Sequence, residues 1–165
     1  MEFILVNLGL TNQFIPWVSI LGLFLFLAGF IIGLGAVTVI DLLGFLGRRS
    51  TYWTETTIRA HKVTKPLIWL GTSLSCVGGI IFYSNNSYSP IIVIHTVLAI
   101  LLILNGCFLS FYVSPILLNK EKNEKEHITT LPTSLQAKIA ISFVISFAGW
   151  WSSLLLLVVY LLVVI

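Results

Sequence analysis

Apolar residues in this chain run in four long blocks, about 16–46, 66–83, 90–118 and 135–165, separated by three short polar segments. Each block is near or above the ~20 residues that an α-helix needs to cross a ~30 Å hydrocarbon layer. None shows the strict apolar–polar alternation of a half-buried strand. The pattern predicts an all-α, integral membrane four-helix bundle running up-down-up-down as a single domain over 1–165, with intervening loops at 47–65 and 119–134.

Charge fixes the direction of threading. All nine Lys and Arg residues fall in two clusters: Arg48, Arg49, Arg59, Lys62 and Lys65, then Lys120, Lys122, Lys125 and Lys138. Basic residues beside membrane spans hold their loops in the cytoplasm, so both clusters are expected inside, with N- and C-termini outside. Composition agrees with the lipid setting: 58% of residues are hydrophobic and 9% charged, against about 25% charged in ordinary soluble domains. Mean hydropathy is +1.04. The net charge of +3 belongs to membrane-flanking segments facing anionic head groups, which argues against nucleic acid as a partner. The N-terminal stretch, with acidic Glu2 and no small-residue cleavage site, does not read as a signal peptide.

Small residues mark helix contacts. Gly22, Gly29, Gly33 and Ala36 share one face of the first span, and Gly71, Ser75 and Gly79 form a matching stripe on the second. A GxxxG step such as Gly29–Gly33 lets two backbones approach closely in lipid. Packing within the chain and a homodimer interface are both open. Ser50 or Thr51 is a candidate cap for a short surface helix in the first cytoplasmic segment, with Tyr52 and Trp53 at the interface. The uncharged segment SNNSYSP predicts a tight outer hairpin centred between Asn85 and Asn86.

Ionisable groups inside a membrane are costly and therefore functional candidates. Asp41 lies near the inner end of span one, where Arg48, His61, Lys62 or Lys65 can reach it. It is either an anchoring ion pair or a proton- or ligand-handling carboxylate. His95 lies in span three, and a turn centred at 85–86 sets it level with Cys76. A thiolate and an imidazole suit Cu(I) or Zn, although two donors make an incomplete site; the alternative is a neutral His bonded to a serine or a carbonyl. Haem b on His95 as single axial ligand is a further candidate, with Trp150 and Trp151 as pocket walls or gap fillers. A bis-His haem between His61 and His95 is excluded, because their heights differ by roughly 25 Å along the helices. His127 falls in the charged loop. Asn105 is the remaining polar group at depth. Cys76 and Cys107 lie at different depths, so a disulfide is not expected.

The stretches GLGAVTVIDLLGFL, HKVTKPLIWLGTSL, LNGCFLSFYVSPIL and ISFAGWW together resemble a group of small four-helix bacterial inner-membrane proteins, similar at a distance to copper-resistance D-like membrane domains. The resemblance implies the fold and a multi-pass inner-membrane location, and through the distant relatives an association with copper. Copper would need ligands, for which only His95 and Cys76 qualify; the only methionine is Met1. No nucleophile–base pair, paired carboxylate or phosphate-cradling loop occurs, and IGLGAVTVID has no preceding strand to make a nucleotide turn. The expectation is therefore a non-enzymatic structural, assembly or ligand-binding bundle, alone, as a homodimer or in a larger membrane complex. The alternatives are a metal- or haem-handling component centred on His95 and, more remotely, an oligomeric transporter or channel using Asp41 and Asn105.

Overall fold

The computed structural model describes residues 11–47, 50–84, 88–123 and 132–163. These form α1 (Thr11–Gly47), α2 (Thr51–Ser84), α3 (Pro90–Cys107), a π-helical stretch (Phe108–Val113), α4 (Ser114–Asn123) and α5 (Thr133–Val163). There is no strand among the described residues. The π-helical stretch joins α3 and α4 end to end, so the architecture is an all-α bundle of four long rods. All four are long and apolar enough to cross a membrane: Trp17–Gly47, Thr54–Ser84, Pro90–Asn119 and Thr133–Val163.

α1 and α2 form the tightest pair. A Cβ on Gly71 would collide with the backbone nitrogen and Cα of Gly33, and one on Gly29 with Ser75 and the Gly71 carbonyl. A Cβ on Gly22 would come within 2.8 Å of Phe82 N. Bare Cα atoms let the two backbones touch, and in lipid that van der Waals contact is what holds helices together. The glycine face is thus covered by the chain's own second helix. On α2 the closest contact is made by Gly78, whose Cβ would strike Phe26 N, while Gly79 meets the Phe26 ring at an ordinary 3.4 Å.

The segment 47–65, expected to be a connecting loop with a short surface helix, is instead helical from Thr51 onward and continuous with the second span. Thr54 explains the tight reversal: its hydroxyl donates to Gly47 O at 2.7 Å, a carbonyl that the end of α1 leaves open, while its N–H bonds to Ser50 O at 3.0 Å. α2 then continues through Pro66. Thr54, Ile58, His61, Lys65, Ile68, Thr72, Ser75, Gly79 and Phe82 repeat at alternating steps of four and three. That repeat keeps one face turned to the bundle, so the polar stretch packs rather than lying on the membrane surface. Expectations for Met1–Leu10, Arg48, Arg49, Asn85, Asn86 and His127 fall outside the described residues.

α3 opens with Ser89, whose Oγ accepts the Ile91 N–H at 3.3 Å, followed by Pro90 in the first turn. A buried polar staple joins α3 to α5. Asn105 Nδ2 donates to Ser142 O (3.1 Å) and Ser146 Oγ (2.9 Å), and Ser142 Oγ returns a bond to Asn105 Oδ1 (2.7 Å). Asn105 is therefore a satisfied helix clamp.

Candidate functional site

The half of the bundle at the α2–α3 turn, named the outer half from the threading expected of the sequence, is closed by rings. Phe26, Phe30, Phe82, Trp150 and Tyr160 are buried together, and His95 is packed among them at 4% exposure. Its ring lies 5.3 Å from Phe26 and 5.8 Å from Tyr83, and Nδ1 is hydrogen-bonded to Tyr83 Oη at 2.8 Å. Of the two alternatives for His95, a pair with Cys76 or a hydrogen bond to a neighbouring group, the second is met, with Tyr83 in place of a serine or carbonyl. α2 ends at Ser84 and α3 begins at Pro90, which moves the centre of the turn later than 85–86. His95 thus reaches Tyr83, seven residues or about 10 Å beyond Cys76 along α2. Cys76 and Cys107 are both free thiols. No group of three or more His, Cys, Asp or Glu side chains is placed to hold a metal among the described residues.

The tryptophan pair separates as well. Neighbours on a helix point about 100° apart, and Trp150 is 4% exposed while Trp151 is 47% exposed. Trp150 fills the notch at Gly33, where a Cβ would overlap its ring, and meets Phe30 edge-on at 5.6 Å. Trp151 packs against Phe147 on the outside of the bundle. A haem needs an accessible axial nitrogen and a slot for its macrocycle. The His95 imidazole is held by Tyr83 through Nδ1 and flanked by Phe26 and Phe30, and no further metal-ligating side chains gather around it among the described residues.

The inner half is open. A cavity of about 260 Å³ lies between α1, α2, α3 and α5, lined by Asp41, His61, Lys65, Trp69 and Ser110 among apolar neighbours such as Ile58 and Leu109. Asp41 Oδ2 and His61 Nε2 are buried without a hydrogen-bond partner. Burying polar atoms in this way costs on the order of 1–3 kcal/mol each, so such sites are uncommon without a role. By sequence spacing Asp41 is either anchored by Arg48, His61, Lys62 or Lys65 or a proton- or ligand-handling carboxylate. It takes part in no ion pair among the described residues; the pair that forms is Arg59–Glu55, on the surface.

Lys65 is held elsewhere for a reason written in the helix chemistry. Through the π-helical stretch the Ser114 N–H bonds to Leu109 O, five residues back instead of four. The next N–H in that pattern would belong to residue 115, which is proline and has none. The Ser110 carbonyl is left without a backbone donor, and Lys65 Nζ donates to it at 3.1 Å. Trp69 Nε1 donates to Ser110 Oγ at 3.0 Å. The wider turn therefore aims Ser110 into the cavity, and single π-turns of this kind concentrate at functional sites.

The cavity reaches the outside of the bundle between α1 and α5. Phe45 and Val144 belong to its lining and are 49% and 60% exposed. Phe45 and Phe143 stand side by side there with ring centroids 6.5 Å apart. Gly44 also lines the cavity, and a Cβ at that position would meet nothing within 4 Å. No family model, curated protein or solved structure matches this chain. The site must be read from its own geometry.

Proposed function

We propose that the chain is a multi-pass bacterial inner-membrane protein, both termini outside, that holds a lipid-soluble ligand in the cavity at its basic end and performs no chemistry on it. The segregation of Lys and Arg into two segments supports this orientation, and four helices long and apolar enough to cross a membrane support a bilayer location. One observation carries the binding role: a cavity in which a carboxylate oxygen and an imidazole nitrogen are buried without partners. Ligand sites are mostly apolar hollows with a few convergent polar groups, and they favour the space between helices of a bundle.

Protein extracted gently from its own membranes and weighed by native mass spectrometry should carry a bound lipophile. Gly44→Phe, which builds a ring into open space, should remove that adduct, and Gly35→Phe, on the exposed face, should keep it. A wild-type protein free of adduct, or an adduct unchanged by Gly44→Phe, would overturn the assignment.

A further inference from the structure

The cavity's mouth, its ionisable groups and its unused hydrogen-bonding atoms restrict what enters. The mouth is rimmed by Phe45 and Val144 and flanked on the outer surface by Leu42, Ile141 and Ile145, all exposed apolar side chains. In a bilayer that surface faces acyl chains, so the route in is through lipid and the ligand is lipid-soluble.

Among the described residues, the ionisable groups lining the space are Asp41, His61 and Lys65. With Asp41 ionised, a carboxylate and an ammonium face the same hollow, and a head of single charge meets one of them as a like charge in a low-dielectric setting. A neutral head avoids that repulsion. The unused valences then read as a template. Asp41 Oδ2 has no donor, Lys65 keeps two N–H groups after its bond to Ser110 O, and His61 Nε2 is unpartnered. The template calls for a hydroxyl to donate to Asp41 and an oxygen to accept from Lys65 or His61.

Resting on the ligand-binding reading above, we infer that the cavity takes a neutral lipid whose head carries a hydroxyl beside a second oxygen, the chemistry shared by a quinol ring and a diacylglycerol. The head sits between Asp41, His61 and Lys65, against the Trp69 indole. The tail leaves past Phe45 and Phe143 into the bilayer.

The test uses the full chain in nanodiscs of phosphatidylethanolamine and phosphatidylglycerol, with binding counted by native mass spectrometry. Four probes are compared: decylubiquinol, dioctanoylglycerol, dodecanoate and dodecyltrimethylammonium. One saturable adduct is expected with a neutral probe, and which of the two binds separates a ring head from a glycerol head. Asp41→Asn and Lys65→Met should each weaken that adduct about tenfold, the loss of one charge-assisted hydrogen bond. They should also change selectivity in opposite directions: Asp41→Asn admits dodecanoate and Lys65→Met admits the ammonium, a readout that a purely structural role would not move. Wild-type protein that binds dodecanoate or the ammonium as well as the neutral probes overturns the ligand class and leaves the cavity reading standing. So does neutral-probe binding indifferent to both substitutions. No adduct with any probe overturns the class and the cavity reading together.

Discussion

The two halves of this bundle solve the same problem in opposite ways. Each contains a histidine. In the outer half His95 is enclosed by Phe26, Phe30 and Tyr83 with its Nδ1 hydrogen-bonded. In the inner half His61 borders a cavity with its Nε2 unpartnered, across from an unpartnered Asp41. A buried polar group that is satisfied by its neighbours is architecture. One left unsatisfied beside open space is a place where something else supplies the bond.

If the outer half is structural, cutting into it should be expensive. Phe26→Ala removes a ring that packs on Phe30, Tyr83 and His95 and should cost about 3–5 kcal/mol, read as loss of the folded bundle during denaturant titration in detergent. Next comes the helix seam. Gly71→Leu has only the Gly33 and Gly29 backbones to press against; α1 and α2 must separate, at about 3 kcal/mol. A change of oligomer size with unaltered stability would instead place that glycine on a surface between chains. The α3–α5 staple is smaller: Asn105→Leu strands Ser142 and Ser146 hydroxyls and should lower stability by about 1–2 kcal/mol. Gly44→Leu, reaching into the cavity, should lie within about 0.5 kcal/mol of wild type. A loss there as large as that of Phe26→Ala would erase the distinction between the halves.

Much of the frame was legible in the residues. Four apolar blocks set the rods, and the stripe of Gly29, Gly33, Gly71 and Ser75 marked the α1–α2 contact. The site was harder to read. The polar run before Pro66 looks like a loop because Arg59, Lys62 and Lys65 crowd it. Yet Thr54, Ile58, His61 and Lys65 already carry the four-three spacing of a packed face, and that spacing is the signal which finds the inner cavity. The 100° step between Trp150 and Trp151 likewise forbids both from walling one pocket. The Cys76–His95 pairing failed on loop length, since a few residues of shift at the hairpin move every level comparison along α2 and α3. What no composition argument reaches is the Ser110 carbonyl. Its exposure depends on Pro115 and a five-residue hydrogen bond together, which is a property of the folded turn.

A crystal structure of the full chain grown from a lipidic phase supplied with dioctanoylglycerol and decylubiquinol addresses the contrast most directly. Density is expected for a head group within hydrogen-bond reach of Asp41 Oδ2 and of Lys65 or His61, with a tail passing Phe45, while His95 stays closed on Tyr83. A collapsed inner cavity in which Asp41 pairs directly with Lys65 or His61, with no added molecule, would contradict it.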